Sequence, residues 1–548
     1  MNDTSPTNFI HEIIESDLSS EKIDCVKTRF PPEPNGYLHL GHAKAIHLDF
    51  ETANKYNGKC HLRFDDTNPA AEDKKYVEAI QEDIKWLGYE WGKNIFWASN
   101  YFDQMYEYAL QLIEQDNAYV CELTMDAFKE YRGVPTKPGK ITPGRKRKIQ
   151  ENISLFKKMK NGEFKDGEYV LRAKIDMNSP NLHLRDPAIY RIRHAYHHNT
   201  KNKFCIYPMY DFAHCIEDSI EGITHSLCTL EFEVHRPLYE WIIDKLKIHK
   251  PQQIEFSRLN VTYMIMSKRR LLKLIELKYV NGWDDPRLPT IRGMRRRGYT
   301  PNSIKKLCEE VGCTKYESLT EIELLENFVR SDLDENSSRA MVVLDPIKLI
   351  IDNYPEKKVE YLDIANHPKD PSFGSRKVPF TKELYVERND YMDNANSKFK
   401  RFSIGREVRL RSAYCVTCNE VVKDKNGNIE SIICSYDPLT KGVNPPDGRK
   451  VRGIVHWVSI KETVDAEVRI YDRLFTCENP SLYNDEEIHK YINPNSLKII
   501  NAKVEPSLIN AKPGDHYQFE RVGFFCADDD HQIDKPVFNQ TINLRGKK

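Results

Sequence analysis

The sequence predicts an α/β multidomain chain: a doubly wound α/β sheet, an inserted domain, a helical stretch and a β-rich final third. Three observations predict it. Strand and helix patterns alternate over residues 8–98 and resume over residues 209–258. Between them, residues 99–208 mix helical stretches with short strands and a basic Pro/Gly loop, Gly133–Gly144. From about Ser338 onward, β-branched and aromatic residues alternate between turn signals such as Asn426-Gly427 and Asp447-Gly448, in short runs that suit β-barrels.

The first helix candidate, Asn8–Leu18, is acidic and follows a polar start, so no signal peptide is expected there. Cys25–Phe30 is strand-like; Pro31, Pro32 and Pro34 forbid its continuation, and Asn35-Gly36 signals a turn. From Leu38 the apolar spacing becomes helical, through Leu40, Ala43, Ile46, Leu48 and Phe50. Such a strand, rigid loop and helix start present backbone N–H groups and the helix dipole to an anion. Lys59–Phe64 is a second strand ending in Asp65-Asp66, and a helix follows over Ala71–Leu87 with Gly88 as its stop. These pieces form half of a doubly wound sheet, whose ligands bind beyond the carboxyl ends of the strands.

In the inserted region, helices are expected at Phe102–Gln115 and Ile149–Lys160, and strands at Tyr169–Ile175 and Ala188–Tyr196. The sheet pattern resumes with the helix Pro237–Leu246. Residues 271–336 read as helical, broken at Pro286 and Pro289, with later helices at Asn302–Val311 and Thr320–Ser331. Val408–Val416, Ile429–Tyr436, Arg452–Ser459 and Glu467–Leu474 are the clearest strands of the last third.

A chain of 548 residues holds roughly three or four domains, each able to bury a core. With 30% charged residues and a mean hydropathy of −0.65, no run approaches the ~20 apolar residues of a membrane span. Thirteen scattered cysteines, an odd number, read as free thiols of a reducing, cytoplasmic compartment. Cys415-x-x-Cys418 with Cys434 lacks a fourth ligand, so no zinc site is expected there. Eighty-two acids balance 82 bases. The charge is segregated, however: Lys137–Lys148, Arg292–Arg297, Lys398–Arg411 and Arg449–Arg452 are basic, while Glu12–Asp17 and Asp528–Asp530 are acidic. Any one basic cluster suits a solvated face; four favour a long anionic ligand.

Two motifs carry chemistry. His39 and His42 share the first helical turn, each able to donate to a phosphate oxygen, and Gly41 lets a flat ligand approach the backbone. Two surface histidines beside a packing glycine are the bland alternative. Far downstream, Met266-Ser267-Lys268-Arg269-Arg270 precedes a helix-like Leu271–Leu277, and Lys268 is a mobile charge suited to phosphoryl or nucleotidyl transfer. Alone, that run is an ordinary solvated helix start. Asp65, at a strand end, is placed to pair with an ammonium, or else caps a helix, as Asp66 or Thr67 could. The Tyr210 hydroxyl can face a side-chain amide, or the ring belongs to the core.

Together the motifs resemble the paired signatures of class I aminoacyl-tRNA synthetases, the second as a Lys-Met-Ser-Lys-Ser variant with Ile265 first and Arg269 last. Phe30–Lys44, Leu62–Pro69, Tyr207–Asp211, Gly222–Phe232 and Gly282–Gly298 resemble the glutaminyl members of bacterial type, and the likeness runs from about Thr7 to Arg545. The resemblance implies a Rossmann-type catalytic domain, 8–98 and 209–258, with an inserted α+β acceptor-end-binding domain at 99–208. A signature loop and helical subdomain at 259–337 would follow, then an anticodon-binding region of two β-barrels at 338–548, the distal one (about 360–456) inserted in the proximal one.

The implied reaction has two steps. Glutamine and ATP give glutaminyl-adenylate and pyrophosphate, and the 2′-OH of the terminal adenosine of tRNA(Gln) then takes the acyl group. By resemblance His39, His42 and Lys268 are catalytic, and ATP, arriving with Mg²⁺ bound by phosphates and water, meets Glu33, Pro34, Asn35, Leu40, Gly41, Ala43, Lys44, Ala45, Thr229, Arg258, Leu259, Met266 and Ser267 as well. Arg29, Asp65, Tyr210 and Cys228 surround L-glutamine, while Arg339, Lys400, Arg401, Arg409, Arg411, Gln518 and Arg521 meet tRNA. Arg409 and Arg411 are expected on one face of one strand. A monomer without a tightly held protein metal is implied. The related glutamate–tRNA ligases need a cation for the substrate carboxylate, and eukaryotic and archaeal ones carry Arg where this chain has Cys228, so glutamine is expected. Val234 stands where bacterial relatives usually carry an acid that reads the acceptor stem. Small nucleotidyltransferases need neither the Lys268 loop nor a β-rich half, and a glutamyl-queuosine-type enzyme would lack residues from about 270. A non-catalytic tRNA-binding protein would have no use for two phosphate motifs.

Overall fold

The computed structural model describes residues 8–70 and 72–546; Thr7 and Ala71, which begin two of the expected segments, lie outside them. The chain forms two compact units, Met1–Asn260 with Cys308–Thr320, and Val261–Leu307 with Glu321–Lys548.

The first unit opens with α1 (Phe9–Ser19), whose N-cap Asn8 accepts from the backbone N–H groups of Ile10 and His11. Strand β1 (Lys27–Phe30), helix α2 (Leu40–Lys55), β2 (Lys59–Phe64), α3 (Lys74–Trp86) and β3 (Ile95–Trp97) follow, and the three strands pair in parallel in the order β1-β2-β3. The chain then leaves the sheet through α4 (Phe102–Glu114), β4 (Ala118–Cys121), α5 (Met125–Arg132), α6 (Ile149–Lys160), β5 (Val170–Ala173), β6 (Ala188–Ile192) and β7 (Ile206–Pro208), whose strands form an antiparallel sheet in sequence order. Helix α7 (Tyr210–Ile220), β8 (His225–Thr229), α8 (Arg236–Leu246) and β9 (Gln252–Phe256) return to parallel pairing, β8 beside β9. Reciprocal hydrogen bonds between Thr224 and Lys27 set the start of β8 against β1. The strand order is therefore β3-β2-β1-β8-β9, doubly wound, with its switch point between β1 and β8. Apolar side chains of α4, α6, α7 and α8 share one core, among them Phe102, Met105, Phe156, Phe212, Ile216, Leu238 and Ile242.

Two-residue strand β10 (Asn260–Val261) carries the chain out of this unit. Helix α9 (Lys268–Glu276) buries Leu271 and Leu274 with Ile265, Val280, Leu288, Leu474 and Phe475. Short α10 (Ile291–Arg297), capped by Thr290, lies within the stretch expected to be helical beyond Pro289 and buries Ile291 and Met294 under its basic face. Helix α11 (Pro301–Val311) spans the return to the first unit at Cys308, which ends in β11 (Leu319–Thr320), and α12 (Ile322–Asn336) leads to the β-rich region.

That region holds two seven-stranded sheets, one nested in the other. The chain starts the outer sheet with β12 (Ser338–Ala340) and β13 (Val342–Val343), then builds the inner one. The inner sheet comprises β14 (Pro346–Ile351), β17 (Glu383–Glu387), β18 (Glu407–Leu410), β19 (Cys415–Lys423), β20 (Ile429–Asp437), β21 (Ile454–Val455) and β22 (Val458–Ser459), with β15 (Glu360–Ala365) and β16 (Ser375–Phe380) as a separate ribbon. The outer sheet is completed by β23 (Val464–Tyr471), β24 (Leu497–Val504), β25 (His516–Phe519), β26 (Gly523–Ala527) and β27 (Val537–Asn543). Each sheet has as its two edges the halves of a single short segment: β12 and β13 in the outer order β12-β25-β26-β27-β23-β24-β13, β21 and β22 in the inner order β21-β18-β19-β20-β14-β17-β22. Edges adjacent along the chain force each sheet to curl round on itself, which leaves little open edge. Trp457, fully buried, sits between β21 and β22 and donates its indole N–H to Arg411 O at 3.0 Å.

Three sequence readings are corrected here. Val408–Val416 is a hairpin, β18 and β19, turned through Ser412 at φ 56°, because Ala413 N–H closes back on Leu410 O. Arg452–Ser459 is two strands rather than one, bent at Trp457 so that its ends serve opposite edges. The inner barrel begins at Pro346, ahead of the expected 360, because β14 supplies an interior strand, between β20 and β17.

Glu360, at the start of β15, accepts hydroxyls from Tyr354 (2.8 Å) and Tyr414 (2.7 Å) and pairs with Lys441 and Lys358. Burial opposes its charge, but these donors bring its pKa from 4.5 down to about 2. A depressed acid contributes stability above its unfolded pKa and loses it as pH falls through the folded one. Glu360→Gln therefore lowers the urea midpoint of the chain at pH 7, and the gap to the parent closes as pH falls from about 4.5 towards 2. A gap independent of pH would remove the carboxylate's charge from the account.

Candidate functional site

The strand ends of the first unit converge on the loops after β1, β2, β8 and β9. The proline loop is pinned to its neighbour: Asp65 N–H donates to Pro32 O and Asp73 N–H to Pro34 O, each at 3.1 Å. His39 is the N-cap of α2, in extended conformation, rather than a residue of its first turn. Its N–H donates to Nδ1 of His42 at 3.1 Å, and the two rings stack with centroids 3.8 Å apart. Because His42 Nδ1 accepts, its proton lies on Nε2. Burial, then the neighbouring His42, holds the His39 pKa well below the usual histidine value, so His39 is neutral. The pair is thus a preformed set of ring donors at a helix N-terminus.

Other expected nucleotide contacts fall into two kinds. Thr229 and Arg258, at the ends of β8 and β9, are bridged by Glu231, which takes Thr229 Oγ1 at 2.8 Å and the Arg258 guanidinium at 2.7 Å. Leu40, Ala43 and Leu259 are buried, while Glu33 is exposed and accepts from the Asn35 amide. Pro34 is buried and Gly41 and Ala45 half-buried. Lys44 turns away: its ammonium is buried against Ser257 O at 2.8 Å, so only its backbone faces the helix start.

Behind them lies a buried ionic network. Arg29 donates to Asp218 Oδ1 (3.0 Å) and Leu227 O (2.6 Å), and its third direction meets His214 Nε2 (3.0 Å). Arg63 pairs with Glu217 (2.9 Å), Asp218 (2.8 Å) and Glu221 (3.4 Å). Burial works against the Asp218 charge, yet Arg29 and then Arg63 hold its pKa far below the carboxylate range. Asp65 is also buried, and burial followed by Glu33 raises its pKa from 3.8 to about 7. None of Asp65, Asp66 and Thr67 caps α3; Asp73 does, accepting from Lys75 N–H at 2.9 Å. Tyr210 begins α7, stacks on His214 (centroids 5.1 Å apart) and lies close enough to Asp65 for that carboxylate to raise its pKa, after burial. Cys228 is near Arg29 but stays a neutral thiol, its pKa raised chiefly by burial. Sequence reasoning missed His214, Glu217, Asp218 and Glu221. Their signal was present: positions i, i+3, i+4 and i+7 make a polar stripe along α7 and its C-cap, beside the apolar Phe212, Ala213 and Ile216.

In the second unit Lys268 is the first residue of α9, with Ser267 as N-cap and Met266 just before it. Arg269 and Arg270 are fastened to Asp485, at 2.7 and 2.9 Å, so the basic run is an anchored helix start. The residues expected to meet RNA are mostly paired. Arg339 is buried on Ser337 O and Asp334, Arg401 and Arg521 both hold Asp390, and Lys400 donates to Ser397 O. Arg409 and Arg411 do not share a strand face: Arg411 lies in the hairpin turn beside Glu520, while Arg409 leans on Thr440 O and Asn444. Arg411 and Arg521, with Arg452, His456, Ile454 and Glu520, line a cavity of about 360 Å³. His456 escaped the sequence reading because one histidine between two short strands carries no pattern. Gln518 Oε1 is buried without a hydrogen-bond partner.

A histidine-capped strand-to-helix turn on a doubly wound sheet, followed by a Met-Ser-Lys run and nested β-barrels, defines a class. Residues 25–335 match the catalytic domain of the tRNA synthetases class I (E and Q), and residues 337–437 and 454–528 match two anti-codon binding domains of the same group. The chain belongs to this class I (E and Q) tRNA synthetase family. Among its relatives, the glutamine–tRNA ligase of Vibrio vulnificus (strain YJ016) is 55% identical over 545 residues, 99% of this chain and 98% of that protein. The glutamine–tRNA ligase of Aliivibrio fischeri (strain MJ11) has the same identity and coverage. A glutamate tRNA ligase structure from Elizabethkingia meningosepticum CCUG26117, in complex with its amino acid, is 19% identical, with a TM-score of 0.42, over 57% of this chain and 70% of that one.

Asp218→Asn leaves Arg29 and Arg63 without their shared countercharge, and losing one partner of a buried ion pair costs about 3–5 kcal/mol. The expected result is a lower Tm than that of Ser226→Ala, which removes only a hydroxyl donated to Asp218 at 2.7 Å. Equal Tm values for the two variants would overturn the network's role.

Proposed function

We propose that the protein is a glutamine–tRNA ligase: it activates L-glutamine with ATP to glutaminyl-adenylate and transfers the acyl group to the 2′-OH of the terminal adenosine of tRNA(Gln). The observation that carries the choice of amino acid is the charge balance behind the strand ends. Arg29 and Arg63 are committed to Asp218, Glu217 and Glu221, and Cys228 is neutral. A glutamate carboxylate placed there would be buried without a partner cation, which is very costly. An amide only needs hydrogen bonds, and the Tyr210 hydroxyl is one available group. The buried Asp65 carboxylate suits the substrate ammonium, whose arrival would offset the burial that now raises its pKa. The names of the full-length relatives point the same way.

His39 and His42 act as fixed donors to the ATP phosphates, supplying stabilisation where negative charge develops on the α-phosphate and on departing pyrophosphate. Lys268 is assigned the same task on the strength of its motif. Mg²⁺ enters with ATP as part of the substrate. The arginine-lined cavity between Arg411, Arg452 and Arg521 is assigned to a splayed anticodon base, with ion-pair partners exchanged on binding. The thirteen free cysteines suit a cytoplasmic location, and a monomer is the simplest working state.

Aminoacylation of total tRNA with labelled glutamine and, separately, labelled glutamate tests this reading: charging is expected with glutamine alone. Charging with glutamate would mean that the ionic network reorganises to expose a cation. Lys268→Ala is expected to slow adenylate formation by at least about a hundredfold while tRNA affinity holds; unchanged adenylate formation removes Lys268 from the mechanism. Asp65→Ala is expected to raise the KM for glutamine, and an unchanged KM leaves it a purely structural carboxylate.

A further inference from the structure

Next to the candidate pocket, the inserted domain meets the first half of the sheet through four side chains with metal-binding chemistry. Asp66 and Glu72 come from the loop between β2 and α3, and His197 and His198 from the hairpin between β6 and β7. Their ligand atoms all lie within 4.8 Å of one another. His198 Nε2 is 3.1 Å from Asp66 Oδ2 and 3.8 Å from Glu72 Oε2, and His197 Nε2 is 3.5 Å from Glu72 Oε2. A tetrahedral ion with bonds of about 2.0–2.1 Å sets its ligands about 3.3–3.4 Å apart, within this spread.

The hydrogen bonds sort the four. His197 Nδ1 accepts the backbone N–H groups of Asn199 and Thr200, both at 3.1 Å, so its proton is on Nε2 and is given to Asp66 O at 2.8 Å. His197 has no lone pair left and acts as a positioning residue. His198 Nε2 faces the two carboxylates. Asp66 is oriented by Ser99, through its N–H to Oδ1 (2.8 Å) and its hydroxyl to Oδ2 (2.7 Å), and Glu72 by Asn68 N–H to Oε1 (2.5 Å). Glu72 Oε2 is left buried with no hydrogen-bond partner, on a side chain 2% exposed. Such an orphaned acceptor, aimed between a carboxylate and an imidazole held by outer hydrogen bonds, is what a metal ligand looks like before its ion arrives.

We infer that Asp66, Glu72 and His198 bind one divalent transition-metal ion of the zinc class, with a fourth position left to water. His198 binds as the neutral tautomer with its proton on Nδ1, any proton on Nε2 passing to solvent, and the ion accepts lone pairs from Nε2 and from one oxygen of each ionised carboxylate. The ion would staple the 197–201 hairpin to the loop that carries Asp65. This inference stands apart from the choice of amino acid.

The test uses the full chain, free of any histidine tag, incubated with Zn²⁺ and gel-filtered before metal analysis. The expected result is one Zn²⁺ per chain, an affinity falling at least about tenfold in both Glu72→Gln and His198→Asn, and no change in His183→Asn. The last variant probes the half-exposed cluster His183, Asp211 and His235. Loss of zinc only in His183→Asn, retention in both ligand variants, or no zinc in the parent would each overturn the inference. Should the ligand variants fail to fold, the Co²⁺-loaded parent decides: visible d–d bands without a thiolate-to-cobalt charge-transfer band support the nitrogen–oxygen site. A thiolate band would place the ion on cysteines and overturn it.

Discussion

Asp218 is a buried carboxylate that stays ionised because two buried guanidiniums face it, and much of the first unit is arranged around that fact. Arg29 reaches it from β1, Arg63 from β2, and Ser226 and Tyr239 add hydroxyl donors at 2.7 and 3.0 Å. Helix α7 can therefore lie against the strands with an acidic stripe instead of an apolar one. Burying so many charges is a weak source of stability, since desolvation offsets most of the attraction. Its value lies in geometry: Tyr210, His214 and Cys228 all stand on elements whose relative position this network sets. Neutralising its own arginines also decides what charge a ligand beside them must carry.

The doubly wound half was legible because its signals are local. Prolines 31, 32 and 34 break β1, and period-3.6 spacing starts near Leu40. Lys59–Phe64 and Ile149–Lys160 match their elements at both ends. Boundaries slipped where tertiary pairing overrides composition. Ser412 takes a left-handed turn within Val408–Val416, a run with β-favourable residues at both ends, because Leu410 and Tyr414 pair across it. The candidate site was legible where a motif names it, as with His39 and His42. It was illegible where partners come from afar: Lys44 looks like a phosphate ligand in sequence and is a strut to Ser257, 213 positions on.

The same long-range pairing explains why the net charge of zero is uninformative about RNA. Arg339, Arg401, Arg411 and Arg521 each have an acid on hand in Asp334, Asp390 or Glu520. Each pairing offsets a positive charge locally, so the chain's total charge does not report where a basic face survives.

The segment that closes the outer barrel has a mechanical consequence. Ala340 and Val342 point into the outer core, whereas Met341 and Val343, between and after them, belong to the inner one. A strand alternates its side chains, so four successive residues serve as a party wall between two rooms. Bending the chain there would empty both rooms together, and neither barrel can swing without the other giving up its packing. The two barrels therefore share one packed segment, residues 340–343, whose alternate side chains complete both cores.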